Sequence, residues 1–501
     1  MTSFEDFSRR AATATLVPVW KDCLLDTDTP VSAFAKLRRG PFAFILESAP
    51  AGGDAWSRYT YLGTEPRSAW RLADGTVEDW NSERGWHNAR TPADPLADLG
   101  GLIDAAKAAD VPELGQFWGG AVGYFSYDVM RLIEDLPNRP ESGLGVPDAV
   151  FVFTRALVIL DNLYGRARVV ISVPIPNGAG DAELRALHKN AEGEIDELLD
   201  RLRKQVPLVT MSPDFGAPPV HGHSSYERAD FMAHVDRIKE YIRAGDCFQA
   251  LLSRRIDVPL DFEPANLYRA LRTINPSPYM YHLALDGVEI VGSSPELLVR
   301  VSDNHITLRP IAGTRRRGKT ADEDQQLSAE LLADEKERAE HVMLVDLGRN
   351  DVGRVAKYGT VRVTELMKVE KYSHVLHIVS QVEGDLNDGL SALDVFRATF
   401  PAGTMTGAPK IRAMEIIDEL EPVSRGPYAG AIGYIAAGGK RMDLAITIRT
   451  CVIADGKASV QAGAGIVADS VPEREWEETQ SKAQALLSAI ASVRQPAAKG
   501  K

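Results

Sequence analysis

The chain has 501 residues, 44% of them apolar, and a net charge of −13, enough for two or three domains or one large layered body with its own core. The acidic balance argues against a broad electrostatic footprint for nucleic acid or anionic membrane and points to a small-molecule ligand. Cys23, Cys247 and Cys451 are isolated, with no CxxC pair. Neither a disulfide framework nor a thiolate zinc site is expected, and a reducing cytoplasm fits. The opening MTSFEDFSRR lacks a basic segment followed by an apolar core, and no later apolar run reaches roughly eighteen residues. A soluble, untargeted chain without a membrane span is the expectation.

From 42 to about 170, short runs rich in β-branched and aromatic residues recur between turn residues: PFAFILES, SRYTYLG, FWGGAVGYFSYDVM, AVFVFTRALVIL and RARVVISV. They predict a sheet-rich first half. The stretch 181–206 has apolar residues at helical intervals and stops before Pro207. Residues 207–224 are rich in Pro, Gly and Ser and carry no period. The chain therefore divides into a sheet-rich region, 1–206, a linker, 207–224, a second region, 225–492, and a disordered tail, 493–501. The second region opens with Ser225 as N-cap of a helix ending near Gly245, after which CFQALLSRRIDV reads as a strand. A further helix around 265–273 precedes antiparallel strands with turns at Asp286-Gly287 and Asp303-Asn304. Next come one long helix from 322 to about 347, strands near Val361 and His377, and a helix over 410–420. GAIGYIAA, MDLAITIRTCVIA and ASVQAGAGIVA read as three strands before a last helix over 473–492.

Glu337/Glu340 and Glu475/Glu478 share a spacing of three on predicted helices, which puts each pair on one helix face. Alone, such pairs more often decorate solvated surfaces; if the two helices meet, four carboxylates converge and call for a hard divalent cation. GSSPELLVR sets Glu296 after a tight turn, where a carboxylic acid can protonate a leaving hydroxyl or merely sit at a strand edge. RPIAGTRRRGK joins a strand to a basic loop whose Gly313 and Thr314 offer donors to an anion, with the three arginines either functional or solvated. QAGAGIVADS lets backbone approach a ligand at Gly463 and Gly465, but it is no dinucleotide fingerprint. FPAGTMTGAPKIRAM fails the Walker pattern because Ala-Pro-Lys follows Gly407. Arg449 can clamp a carboxylate, Lys482 supplies a charge one turn beyond Glu478, and KYSHVLHIVS holds His374 and His377, structural or catalytic.

Together HVMLVDLGRNDVGR, RPIAGT, KYSHVLHIVS, FPAGTMTGAPKIRAM and QAGAGIVADSVPEREWEETQSKA resemble, in order, the chorismate-utilising enzymes, and among them the anthranilate synthase large-subunit family. FILES, RYTYLG and GGAVGYFSYD resemble that family's regulatory region more weakly. The resemblance implies an α+β fold, a large two-layer antiparallel β-sandwich with helices packed outside, and Mg2+-dependent chemistry on chorismate. It implies metal ligation by Glu340 and Glu478 with Glu337 and Glu475 in support, and substrate contacts from Gly313, Thr314, Tyr434, Arg449, Gly463, Ala464, Gly465 and Lys482. Glu296 would be the acid, with His377 assisting elimination, Gln249 and Thr314 counted among the catalytic residues, and His374 structural. Gln249 stands where water-adding members carry a lysine base, and Ala312 where aminodeoxychorismate synthases carry a nucleophilic lysine. Both favour amination by free ammonia over the aminodeoxychorismate, isochorismate and salicylate alternatives. None of the three cysteines sits in a glutaminase context, so ammonia would come from a separate glutaminase subunit in a hetero-oligomer. Glu47 and Ser48, with Pro278, Tyr279 and Met280, resemble the tryptophan-inhibitor site.

Overall fold

A computed structural model of the chain describes residues 1–48, 58–140, 142–206, 208–372 and 375–494. His374, Pro207 and the end of the expected tail from 495 lie outside the described residues. Two antiparallel sheets, each of twelve strands, carry the fold. Residues on both sides of 207–224 build each sheet. Phe42–Glu47 pairs with Tyr279–Leu285 in the first sheet, and Gly120–Phe125 pairs with Ala431–Ala436 in the second. The expected α+β sandwich with outer helices is therefore the observed architecture.

Strand alternation explains how the layers hold together. Val122 and Tyr124 point to the apolar core shared with Val158 and Leu160 of the first sheet. Their neighbours Ala121 and Phe125 face the opposite way, into a core with Leu99 and Phe396 from helices Pro95–Asp104 and Ala392–Thr399. A strand covered on both faces must be apolar at every position, as AVGYF is. Phe125 stacks on Phe396 at 4.2 Å between ring centroids and tilts against Phe151 at 4.6 Å. The hairpin turns fall where the sequence puts them: Asp286, Gly287, Asp303 and Asn304 all have positive φ, as a two-residue reversal requires.

Four sequence expectations are corrected. The single helix expected over 322–347 is two, Ala321–Ala333 and Glu335–Gly353, because Asp334 turns extended (ψ 110°) and its carboxylate accepts from Lys336 and Glu337 N–H as an N-cap. Ser225 does not cap the next helix. That helix, Arg228–Ala244, begins after Glu227, while Ser225 Oγ accepts the Arg255 N–H at 3.0 Å. Its end is as expected, with Gly245 left-handed at φ +86°. The run MDLAITIRTCVIA is two strands in different sheets, Arg441–Ile446 in the second and Thr450–Ala454 in the first. AVFVFTRALVIL divides in the same way, into Ala149–Phe153 and Ala156–Asp161.

Candidate active site

Two crossings between the sheets make the site. The chain leaves the first sheet at the end of Glu289–Ser294 and enters the second at Leu297–Ser302, with Glu296 in the gap. It returns between Arg441–Ile446 and Thr450–Ala454, with Arg449 in that gap. The crossings are tied together: Ile446 N donates to Glu296 O at 3.0 Å, Ser293 N to Arg449 O at 3.1 Å, and Ser294 Oγ to Ile446 O at 2.6 Å. Arg449 has φ +51°, a conformation costing a non-glycine residue about 1–2 kcal/mol. The bonded frame holds it there and turns its side chain toward Glu296, Glu478 and Tyr428, which favour its charge, while burial lowers its basicity.

Glu296 is drawn from the usual carboxylate range up to about 7. Burial is the main cause, opposed by the hydrogen bond from Thr404 Oγ1 at 2.7 Å and by the charges of Arg449 and Lys482. Thr404 comes from the FPAGTMTGAP loop, and a narrow pocket of about 40 Å³ runs from Glu296 past Thr404 toward Leu347 and Asp351. At neutral pH such a carboxyl exists in both forms, as proton donation followed by recovery requires.

His377 sits on strand Val375–Asp385 beside the bulge at Gly313, where the register with Ile311–Arg316 slips between Ala312 and Thr314. Its Nδ1 lies 2.7 Å from Gly313 O and 3.3 Å from Thr314 Oγ1. A carbonyl can only accept, so Nδ1 carries the proton and Nε2 the free lone pair. Burial depresses its basicity, opposed by the Gly313 hydrogen bond and reinforced by Arg449. Gly313 has φ +65°, and a Cβ there would stand 3.1 Å from Glu337 Oε2. The glycine lets the helix with the first glutamate pair come close to the histidine.

Gln249 opens strand Gln249–Pro259 and is buried, with its Oε1 lacking a hydrogen-bond partner. The glycines of QAGAGI are explained by contact: a Cβ on Gly465 would lie 2.5 Å from Gln249 Nε2, and one on Gly463 2.6 Å from Leu251 Cδ2. Ala464 between them is fully buried against the neighbouring helices, with Phe231 and Ala413 in the same apolar cluster. Lys482 Nζ donates to Gly463 O at 3.0 Å and pairs with Glu478 at 2.6 Å. Ala312 is buried on the strand facing Ile378.

The two glutamate pairs lie in the first two turns of Glu335–Gly353 and Pro472–Val493. Glu340 is raised above the usual carboxylate range by burial, then by Glu337, with Glu478 adding to it. Glu475 is raised by burial and Glu478, opposed by a Ser470 hydrogen bond. Repulsion reaching from one helix to the other shows that both pairs share one field. Arg315 takes up Glu337 at 3.0 Å and Lys482 takes up Glu478. Among the described residues no three His, Cys, Asp or Glu stand close enough to form a metal-ligand group. An incomplete, all-carboxylate set with a buried, repelled member fits a hard cation that keeps waters and borrows oxygens from substrate. The arginines of the basic loop are paired, Arg315 with Asp334 and Glu337, Arg316 with Glu323 and Arg317 with Asp324, so they are not a free anion patch.

Tyr434 is not in this cleft. It lines a second cavity of about 460 Å³ that also takes in Glu47, Ser48, Pro278, Tyr279 and Met280. Its ring stacks on Phe117 at 4.4 Å, because its strand pairs with Gly120–Phe125 away from the crossings. Glu47 is buried and accepts from Tyr268 Oη at 2.7 Å and from Arg272 Nε at 2.7 Å. The tyrosine beside Arg449 is Tyr428, buried and facing the Gly463 N–H. Sequence reading passed over Tyr428 and Thr404, although both stand in quoted or adjoining Gly/Pro-rich segments, YAGAIGY and FPAGTMTGAP.

Residues 57–488 match the model of the chorismate binding enzyme family. The chain belongs to the chorismate binding enzyme family. Curated relatives include the anthranilate synthase component 1 of Pseudomonas putida, 47% identical with 99% of each chain covered, and that of Acetivibrio thermocellus, 45% identical with 95% of each covered. Among solved structures, anthranilate synthase component I from Streptococcus pneumoniae is 38% identical with TM-score 0.76, covering 86% of this chain and 92% of that one. The menaquinone-specific isochorismate synthase of Escherichia coli, at 18% identity and TM-score 0.68, covers 97% and 98% and shares the fold. No helix among the described residues is long and apolar enough to cross a membrane.

Proposed function

We propose that the chain is the large subunit of an anthranilate synthase, adding ammonia to C2 of chorismate with loss of the ring hydroxyl and then eliminating pyruvate to leave anthranilate. The observation that carries this reading is Gln249. Its amide cannot act as a base on water, and its unpartnered Oε1 is an acceptor suited to an N–H of ammonia, which is a nucleophile without help. Ala312 has no nucleophile with which to open the covalent route of aminodeoxychorismate synthases.

In this mechanism Arg449 and the Gly463 strip hold the substrate's carboxylates, with Tyr428 at their side. Glu296, raised by burial far enough to keep a protonated form at neutral pH, gives its proton to the departing hydroxyl as ammonia arrives on the Gln249 side. Removing such an acid typically costs about 10²–10⁴ in rate. His377, neutral and with Nε2 free, assists the elimination that makes the ring aromatic. Glu340 and Glu478, supported by Glu337 and Glu475, would hold Mg2+, which supplies positive charge to anchor the ring carboxylate.

Ammonia comes from a glutaminase partner in a hetero-oligomer. In support, Cys23 and Cys247 are raised by burial and Cys451 is pushed up to about 12, so none is an activated nucleophile. Three unbridged cysteines also suit a cytoplasmic setting. The second cavity takes tryptophan as feedback inhibitor. Its apolar walls, with Met280 and Tyr434, suit an indole, and Ser48 and Asp443 suit the polar end. Residues 1–206 supply its regulatory strand and 225–492 the catalytic half. The test is to give the purified chain chorismate and Mg2+ with either ammonium or glutamine. Ammonium alone should yield anthranilate; glutamine consumed without added glutaminase would refute the partner assignment.

A further inference from the structure

Tyr372 stands in the wall between the two cavities. It is 8% exposed and lines the larger one. From there its ring meets His377 edge to face, with centroids 5.3 Å apart and planes at 72°. Its hydroxyl donates to Glu370 Oε2 at 3.2 Å, and Glu370 Oε1 accepts from Arg309 Nη2. Arg309 lines both the larger cavity and the narrow pocket at Glu296. The acid is flanked in the same way: Pro295 and Leu297 line the larger cavity while Glu296 lines the narrow pocket. Cavity and reacting groups thus share a wall about one side chain thick.

The element that carries this wall is poorly constrained. Glu370 lies near the end of Arg362–Lys371, a strand paired only with Val375–Asp385 among the described residues. Its register slips twice, between Val363 and Glu365 and between Glu365 and Lys368, and Met367 has φ +54°. A bulged edge strand yields more easily than the sheets it borders.

We propose that Tyr372, tethered by Glu370 to Arg309, is a positioning residue that sets the His377 ring, and that a ligand filling the neighbouring cavity inhibits by displacing it. The inference rests on the reading of that cavity as the tryptophan site. A body pressing on the cavity side of Tyr372 moves its edge off the imidazole and breaks the tie to Glu370. His377 keeps its Gly313 bond but loses the contact that fixes the direction of Nε2. Inhibition then lowers turnover without entering the chorismate cleft.

The full chain, assayed with ammonium, chorismate and Mg2+, gives the test. Tryptophan binding is measured by calorimetry and inhibition by initial rates. Glu370→Gln leaves the cavity wall in place but removes the charged tether. It should keep the Kd for tryptophan within about threefold while raising the residual rate at saturating tryptophan at least tenfold over that of the parent, so that the enzyme with inhibitor bound still turns over. Its kcat should fall severalfold with the KM for chorismate unchanged, the signature of lost positioning rather than lost binding. Tyr372→Phe, which keeps the ring and loses the hydroxyl, should separate binding from inhibition likewise, and the double variant should add nothing. The relay is overturned if the Kd rises while saturating tryptophan still stops turnover, which would make Tyr372 and Glu370 wall only, or if neither the Kd nor the residual rate moves. A parent chain that binds no tryptophan overturns the cavity assignment and the relay with it.

Discussion

Thr404→Val should move the pH dependence of catalysis in a direction fixed by the geometry. Thr404 Oγ1 donates to Glu296 Oε1 at 2.7 Å and is the largest of the three influences that hold the Glu296 carboxyl down against burial. A hydrogen bond to a charged group contributes about 1.5–3 kcal/mol, and one pKa unit is about 1.4 kcal/mol. Loss of the bond therefore raises the carboxyl by about one to two units, less whatever the hydroxyl gave back by accepting from the protonated form. Only the protonated acid can serve the departing hydroxyl. Activity is thus complete below the pKa and lost as pH rises through it, near 7 in the parent. In Thr404→Val the alkaline limb should shift upward by about one unit. The assay is kcat against pH at saturating ammonia, with ammonium adjusted to constant free base because the nucleophile itself titrates. Glu296→Gln, which has no proton to give, should lose the limb and about 10²–10⁴ in kcat. A limb that stays put or moves down in Thr404→Val, or a Glu296→Gln chain keeping a tenth of its turnover, would refute this role.

Glu340→Gln should raise the Mg2+ concentration for half-maximal rate at least tenfold, because it removes the carboxylate on which Glu337 and Glu478 converge; Glu475→Gln should do less, and a magnesium titration of initial rates separates them. Glu421→Ala should destabilise the chain by about 3–5 kcal/mol. That carboxylate and Arg425 are 2% and 1% exposed, and the glutamate also accepts from Ser253 N and Oγ; denaturant unfolding would show it, and a loss under 1 kcal/mol would contradict the buried-pair account. Ser48→Ala and Met280→Thr should each weaken tryptophan inhibition about tenfold, read as inhibition constants; unchanged constants would remove the cavity from regulation.

Much of the site was legible because local chemistry carries it. The spacing of three in each glutamate pair needs only helical geometry, and each pair does fall within the first two turns of its helix. The Asp-Gly and Asp-Asn reversals are properties of single residues. The sheet crossings were not legible. The run from Met442 to Ile453 is β-favouring apart from Asp443 and Arg449, and nothing in an arginine announces the positive φ that lets Arg449 turn the chain from one sheet to the other. The break at Asp334 was hidden by good helix formers on both sides. It appears only when the aspartate's carboxylate is seen taking the orphan N–H groups. Tyr428 and Tyr434 lie six residues apart in one segment, and only the pairing with Gly120–Phe125 decides which faces the cleft. The resemblance points to Tyr434, which lines the second cavity.

The most direct test of the central claim is the identity of the product from chorismate and isotopically labelled ammonium with Mg2+, followed by mass spectrometry and a parallel pyruvate assay. Labelled anthranilate and pyruvate in a one-to-one ratio are the predicted result. Labelled aminodeoxychorismate without pyruvate, or unlabelled isochorismate or salicylate, would contradict the roles given to Gln249, Ala312 and Glu296.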